Sequence, residues 1–412
     1  MKHKKTNSMK HTFRLLALAC LVGGMMLVSC EKDPEENGGN GGNGGNDITD
    51  ATSLSGTIND NRTLSDLGLP VDYIIDGYLY LEGNAMLTVE PGVTIMFANE
   101  GSAIIVGEDQ GIRMVGTADK PIILTGPTNN QNKGSWKFIN VRSNRSDNAF
   151  EYVQFNNGGA DDAVIFVDGK LSMKHCTING SLGNGVNVGG NATLTAFENN
   201  TIMNVNQYPI SMEVQAAPQL GTGNTYTANG KNMIELFYHW VSENSYTINA
   251  QPIPFYVSDG IGVDENASLT LGAGVEMVFP YNQDFVVSDG SILNIQGTAT
   301  NPVILRSMGN GNDEWIGLEF NSSRNGSSIS YCFIDGAGKE SDGAALYLDG
   351  YARITLTNVT VRNSSSYGMS IYYDEESPSD FHVTSTGHSF LNCASGDIYN
   401  RYTEQVMDQF PN

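Results

Sequence analysis

LTVEPGVTIMF at residues 87–97 recurs in altered form as LTLGAGVEMVF at residues 269–279. Both stretches alternate apolar and polar residues with a period of two, which is typical of strands with one buried face. Further on, GTA and PIIL within residues 116–124 recur as GTA and PVIL within residues 297–305, and Trp136 recurs as Trp315. Because all these matches keep a nearly constant spacing, the chain contains two copies of one unit, at about 55–235 and about 236–412.

Short strand-like runs, punctuated by Gly, Asn and Asp, continue through both copies, and no long segment shows helical periodicity. Such runs predict an all-β protein of the solenoid type, in which stacked coils share one continuous core. With roughly 24 residues in each coil, the folded part would form about 14–15 coils. The expected fold is a right-handed parallel β-helix.

The N-terminus has the features of an export signal. Five Lys and Arg residues precede an apolar run over residues 15–28. This run is shorter than the roughly 20 residues that a membrane-spanning helix needs, so it predicts a cleaved signal peptide. LVSC at residues 27–30 resembles a bacterial lipobox. The resemblance implies that residues 1–29 are removed and that Cys30 is lipidated; an ordinary signal peptide is the alternative.

A linker follows Cys30. EKDPEE at residues 31–36 resembles the acidic export tag that sends Bacteroidota lipoproteins to the outer face of the outer membrane, although a simple solvated linker would look the same. Residues 37–46 contain only Asn and Gly, which favours a flexible tether. We therefore expect residues 30–47 to be lipidated cysteine and tether, and residues 48–412 to be the β-helix.

The charge of the chain limits its partners. After removal of residues 1–29, 17 basic residues face 45 acidic ones, so the net charge is −28. A surface of this kind repels nucleic acid at long range, and a nucleic-acid partner is not expected. A polyuronate ligand would need a local basic patch.

The repeated pattern L-T-x-x-x-G-V-x-x-x-F, then G-T-A-x-x-P-I/V-I-L, a Trp and a Tyr-containing strand resembles the β-helix surface lipoproteins of Bacteroidota. Their fold is similar to that of the pectate-lyase superfamily. The resemblance covers nearly all of residues 50–412. It implies a fold but no particular activity, because that superfamily includes lyases, hydrolases, esterases and proteins with no known reaction.

Three cysteines remain after Cys30. Cys176, Cys332 and Cys393 align with valines of the other copy. Since free cysteine behaves as a small buried hydrophobe, this alignment predicts core packing rather than a disulfide.

The first candidate site lies around the repeated tryptophan of the first copy. If Ile139 and Val141 face inward, alternation places Trp136, Phe138 and Arg142 outward, where rings could stack on sugar faces beside a cation. Because Trp136 recurs as Trp315, packing beneath a loop is an alternative role for it.

The second candidate site is an insertion. The offset between the copies rises where Tyr372, Tyr373, Asp374 and Glu375 replace the shorter Gly189-Gly190-Asn191 stretch. Two tyrosines beside carboxylates suggest a sugar platform or, more weakly, a Ca²⁺ site. A solvated acidic loop is the alternative. No spacing of Cys and His predicts another metal.

An enzymatic hypothesis is also open. A polysaccharide lyase would need a base and a cation, and the best group for these roles consists of Lys133, Lys137, Arg142 and Arg145. A glycoside hydrolase would need two carboxylates at a defined separation, and the one adjacent pair of note, Asp161-Asp162, would point to opposite faces of a strand. A solvated basic loop is the alternative for the four cations.

The sequence therefore favours a non-catalytic surface lipoprotein of the outer membrane that binds glycan or another extracellular ligand along its β-helix. The two other hypotheses are a polysaccharide-degrading enzyme of the same fold and a structural or adhesive surface protein. The oligomeric state stays open.

Overall fold

The computed structural model describes residues 50–238, 240–309, 314–339 and 343–411. The predicted signal peptide, Cys30, the tether to residue 47 and residues 48–49 lie outside the described residues. No helix in the described ranges is long and apolar enough to cross a membrane. The described residues belong to one compact unit.

The first copy supplies twenty strands. In chain order they are β1 (Thr52–Ile58), β2 (Arg62–Leu64), β3 (Tyr73–Leu81), β4 (Met86–Val89), β5 (Thr94–Phe97), β6 (Ala103–Val106), β7 (Gly111–Val115), β8 (Ile122–Thr125), β9 (Ile139–Val141), β10 (Ala149–Glu151), β11 (Val153–Gly158), β12 (Ala163–Val167), β13 (Lys170–Lys174), β14 (Thr177–Ser181), β15 (Asn184–Val188), β16 (Thr193–Glu198), β17 (Thr201–Val205), β18 (Ile210–Glu213), β19 (Thr225–Thr227) and β20 (Ile234–Phe237).

The second copy continues with β21 (Trp240–Val241), β22 (Ser245–Ile248), β23 (Phe255–Val257), β24 (Ile261–Val263), β25 (Ser268–Leu271), β26 (Glu276–Phe279), β27 (Asp284–Val287), β28 (Ile292–Gln296), β29 (Val303–Ser307), β30 (Gly317–Phe320), β31 (Ser327–Asp335), β32 (Ala344–Leu348), β33 (Arg353–Arg362), β34 (Tyr367–Ile371), β35 (His382–Thr386), β36 (Ser389–Leu391), β37 (Gly396–Asn400) and β38 (Gln405–Met407). Two 3₁₀ helices, η1 (Val214–Gln219) and η2 (Pro378–Asp380), interrupt the strands.

The strands stack into about 14 coils, with up to three strands in each coil. In the described part of the chain, every strand pair is parallel except β37 with β38. This arrangement confirms the predicted parallel β-helix. The antiparallel β38 covers one edge of the last coil, where an open strand edge would otherwise invite pairing with another chain.

The interior is a set of stacked apolar columns. One column of the first copy consists, in register, of Ile95, Leu124, Phe155, Ile178, Ile202 and Tyr226. All six are buried. Burial of such a side chain contributes about 1.5–3 kcal/mol, so the columns supply the main stabilisation of coils that could not fold singly.

The duplicated tryptophans are core residues. Trp136 is fully buried, its ring stacks on Phe97 at 4.3 Å between centroids, and its Nε1 donates a hydrogen bond to the Asn156 carbonyl at 2.9 Å. Trp315 is equally buried, stacks on Phe279 at 4.2 Å and donates to the Asp335 carbonyl at 3.0 Å. The expectation that Trp136 faces outward is therefore wrong. The alternation begins only with β9, and the preceding residues turn rather than extend.

The cysteines follow the prediction from the valine alignment. Cys176 and Cys332 are buried in the core, and Cys393 is half-buried against it. All three are free thiols. Burial raises the pKa of the Cys176 thiol to about 12 and that of Cys332 still further, so neither forms a thiolate readily.

Strands of the second copy do not continue the stacks of their sequence counterparts in the first copy. In the first copy, β5, β8 and β11 belong to one stack, and β6, β9 and β12 belong to the next. The second of these stacks continues through β15, β18, β20 and β23 into β26. By sequence, however, β26 corresponds to β5 and not to β6. Equivalent side chains of the two copies therefore lie on different flanks, and the counterpart of β6 is in the eight-stranded sheet that ends with β38.

Candidate ligand-binding groove

Phe138 belongs to an exterior ring cluster on the first copy. Its ring meets Phe166 edge-on at 5.3 Å and Tyr78 at 6.4 Å, and Tyr78 stacks with Tyr80 at 5.7 Å. Phe138, Tyr78 and Phe166 are half-buried, and only Tyr80 is exposed, at 39%. The cluster leaves few free ring faces, because its members cover one another.

Lys137 covers part of this cluster. Its Nζ lies 5.4 Å from the ring centroids of both Tyr78 and Phe138, bonds the Tyr78 hydroxyl at 2.8 Å and lies 3.4 Å from an Asp161 oxygen. The hydrogen bond with Tyr78, helped by Asp161, raises the pKa of Lys137. A lysine with a raised pKa is a poor base, so this environment does not favour the lyase hypothesis.

The other basic residues do not gather around Lys137. Lys133 bonds the Asn206 side chain at 2.8 Å, and Arg145 forms an ion pair with Asp147 at 2.6 Å. Arg142 is exposed beyond the end of β9. Three of the four cations thus have separate partners, and the structure does not bring Arg142 and Phe138 together with Trp136 on one surface.

A cavity lies in the second copy, at the corner where β32, β34 and β37 end. It is a half-open groove of about 680 Å³. Its lining is Ser323, Tyr347, Asp349, Gly350, Tyr351, Arg353, Tyr372, Asp374, Ser377, Asp380, Phe381, His382, Arg401 and Tyr402. Two of the predicted site residues, Tyr372 and Asp374, are among them.

The insertion builds one wall of the groove. In the first copy, only residues 189–192 connect β15 to β16, whereas residues 372–381 connect β34 to β35. Side chains of Glu213 and Gln215 fold over the shorter connection. The Glu213 carboxylate lies against Gly190 and accepts a hydrogen bond from Gln215 Nε2 at 3.1 Å. The longer connection of the second copy is displaced outward, which leaves the groove between it and the coil.

Tyr372 and Tyr402 form an aromatic wall. They are 45% and 46% exposed, and their rings meet edge-on at 5.4 Å. The Tyr372 ring also packs over Gly350, where a carbon of the ring lies 3.4 Å from the position that a Cβ would take. Asp374 lies on the same side, and its carboxylate raises the pKa of Tyr402. This wall offers ring faces together with hydroxyl and carboxylate groups.

The remaining predicted residues of the insertion have other roles. Tyr373 turns toward the core, packs on Phe381 at 5.1 Å and exchanges backbone hydrogen bonds with the Asn400 side chain at 3.0 and 2.8 Å. Glu375 is exposed and does not line the groove. Tyr373 therefore anchors the insertion, and Tyr372 alone of the pair is presented to a ligand.

Arg401 forms another part of the groove wall and was not anticipated from sequence. Its guanidinium lies 4.0 Å above the Tyr347 ring and donates to Ser370 Oγ at 2.8 Å and to the Leu348 carbonyl at 2.7 Å. Within the described ranges it forms no ion pair. Burial lowers the pKa of Arg401, against the smaller opposing effects of Tyr347 and of Asp349.

Arg353 stands beside this wall at the start of β33, opposite His382 of β35 in the parallel register. Its side chain has no hydrogen bond or ion pair among the described residues.

Two features of the sequence could have indicated this part of the groove. Arg401 replaces Glu213 when the two copies are aligned, and Tyr347 is the outward residue of β32 that matches Phe166.

The weak expectation of a Ca²⁺ site gains no support. In the part of the chain that the structure describes, no group of three or more His, Cys, Asp or Glu side chains is arranged to hold a metal ion. Asp374 Oδ1 instead accepts the Glu376 backbone N–H at 2.9 Å, which closes a local turn.

Comparison with known proteins supports the fold over part of the chain. A family model described as a pectate-lyase like beta helix domain matches residues 56–163. Searches of curated proteins and of solved structures gave no match. The matched segment lies in the first copy, so the groove of the second copy is outside it.

Proposed function

We propose that the protein is a lipoprotein, anchored through Cys30 on the outer face of a Bacteroidota outer membrane, that binds an extracellular glycan without cleaving it. The ligand lies in the groove between Tyr372 and Arg401. The anchorage rests on the basic leader, the apolar run and the LVSC motif. The ligand-binding part rests on the groove.

One observation carries the choice of ligand: the groove combines exposed ring faces with charged hydrogen-bonding groups in one half-open cavity. Sugars offer apolar C–H faces that pack on rings and hydroxyls that exchange hydrogen bonds with carboxylates and guanidinium groups. A cavity of about 680 Å³ is within the size range of small-molecule sites. It suits a short segment of a glycan.

The non-catalytic part of the proposal rests on the first copy. The cations that a lyase would use are separated, and Lys137 is held in a state that opposes proton abstraction. Binding without cleavage then requires no group beyond those of the groove.

Binding is tested by a calorimetric titration of the full chain with glycans. Tyr372→Ala should weaken binding by about 30-fold, as expected when a central aromatic contact worth about 2 kcal/mol is lost. Tyr80→Ala is the matched control, because it removes a similarly exposed tyrosine from the ring cluster of the first copy. Equal affinities of the two variants would contradict the groove as the binding site.

The test of anchorage is separate. Cys30→Ser should move the protein from the membrane fraction to the soluble export fraction, because the acyl chains that hold it in the lipid are not attached. Retention of Cys30→Ser in the membrane fraction would contradict lipid anchorage and leave the groove proposal untouched.

A further inference from the structure

The guanidinium of Arg401 has unused hydrogen-bonding capacity that faces the groove. Arginine carries five N–H donors. Ser370 Oγ and the Leu348 carbonyl accept two of these in the described structure, and both acceptors are neutral. Asp349 and Glu319 act on this charge from a distance, but no carboxylate forms an ion pair with it among the described residues. A partly buried charge whose direct partners are neutral can still gain from an anion beside it.

Arg353 is a second cation that lines the groove. Its side chain lines the groove and has no partner among the described residues, so it is free to turn toward a ligand. Three carboxylates, Asp349, Asp374 and Asp380, line the same groove, and Asp374 acts on Tyr402. The groove therefore offers cations to a negative group of a ligand and carboxylates to its hydroxyl donors.

The first copy shows that Arg401 is not part of the repeated scaffold, whereas a cation at the position of Arg353 is. In the alignment of the two copies, Arg401 takes the position of Glu213, so the charge at the corner is reversed. Arg353 takes the position of Lys170. Only the second copy combines two arginines with an open groove.

We propose that the glycan bound in the groove carries an isolated oxyanion, such as a carboxylate, sulfate or phosphate, which Arg401 and Arg353 hold. This inference rests on the proposed function and specifies the ligand of the same site. The planar fork of an arginine matches such an anion with two parallel hydrogen bonds, which a lysine does not provide.

The overall charge sets a limit on how many anions the ligand carries. The net charge of −28 after removal of the signal peptide repels densely charged polyanions. At physiological ionic strength, however, exposed charges are screened beyond about 8 Å, so two arginines at short range can hold a single oxyanion. A sparsely charged glycan therefore fits this groove better than a polyanion.

The experiment is a calorimetric titration of the full chain with glucose, glucuronate, glucose 6-sulfate and glucose 6-phosphate. At least one charged sugar should bind about tenfold or more tightly than glucose, since a charge-assisted hydrogen bond contributes about 1.5–3 kcal/mol. The best of the three identifies whether the oxyanion is carboxylate, sulfate or phosphate.

Two variants locate the anion. Arg401→Gln should remove the preference for the charged sugar, and Arg353→Gln should reduce it by about threefold to tenfold, because a side chain without fixed partners must be ordered when it binds the anion. Because the Arg353 side chain has no partner in the described structure, Arg353→Gln should fold normally. It therefore tests the anion site even if Arg401→Gln fails to fold. Lys170→Gln is the matched control, since it removes the same charge at the equivalent corner without a groove.

The outcomes separate the two proposals. Binding of glucose as tightly as the charged sugars, or unchanged preference in both arginine variants, overturns the oxyanion and leaves glycan binding standing. Failure of all four sugars to bind overturns the oxyanion, whereas glycan binding falls only if the glycan titration of the full chain also shows none.

Discussion

The corner that follows β15 in the first copy and β34 in the second has two forms in this molecule. In the first copy, residues 189–192 close it tightly, and Glu213 and Gln215 fold over Gly190. In the second copy, residues 372–381 displace the chain outward, and Arg401 stands where Glu213 would be. The same backbone plan therefore yields a filled corner in one copy and a groove of about 680 Å³ in the other.

The difference separates scaffold from site. Features that recur, such as the tryptophan over a phenylalanine, hold the coils together in both copies. Features that do not recur, namely the insertion and the reversed charge, gather around one cavity. In a duplicated solenoid, each copy can thus be compared with the other. Features of both copies belong to the scaffold, and features of one copy are candidates for a site.

The largest expected effect tests the scaffold half of this comparison. Trp136→Ala and Trp315→Ala should each lower the free energy of unfolding by about 3–5 kcal/mol, as for other fully buried large side chains. The two losses should agree within about 1 kcal/mol, because each ring has the same stacking and hydrogen-bond partners. Urea denaturation of both variants measures this. A loss in only one copy would show that the tryptophans are not equivalent.

The next effect concerns the open corner itself. Replacing residues 372–381 with the Gly-Gly-Asn-Ala of residues 189–192 should weaken glycan binding by about 100-fold or more, since it removes an aromatic wall of the site. Lengthening the first copy's connection with the same segment should not create binding, because Glu213 remains there. Acquisition of binding by that reciprocal variant would contradict the role assigned to Arg401.

A smaller effect distinguishes the two adjacent tyrosines. Tyr373→Ala should lower the free energy of unfolding by about 1–3 kcal/mol through lost packing. Tyr372→Ala should change it by less than about 0.5 kcal/mol, as is usual at exposed positions. Thermal denaturation and calorimetry on both variants provide the measurement. Loss of stability without loss of binding in Tyr372→Ala would reverse the assignment.

The smallest effect is a difference in labelling rate. Iodoacetamide reacts with thiolates, and burial raises the pKa of Cys176 to about 12 and that of Cys332 further. At pH 8 both should label slowly in the native protein, and the half-buried Cys393 should label first. Peptide mass spectrometry follows the three sites. Equal rates before denaturation would show that the core is more open than described.

The sequence was sufficient for the scaffold and insufficient for the site. Alternation and duplication predict the strands, the buried cysteines and the place of the insertion. Alternation failed at Trp136, because the parity of a strand cannot be extended past its first residue at Ile139. It also could not reveal that Tyr347 and Arg401 meet, because their contact depends on how β32 and the end of β37 stack on either side of β34. The reversal from Glu213 to Arg401 was visible but gains meaning only with the cavity.

The most direct test of the groove is incubation of the full chain, and of the variant with the shortened 372–381 connection, with a panel of polysaccharides read by size-exclusion chromatography. If the glycan binds in the groove without being cleaved, at least one glycan should co-elute with the full chain at unchanged length and should not co-elute with the variant. Shortening of the glycan, or equal co-elution with both proteins, would contradict binding without cleavage in the groove of the second copy.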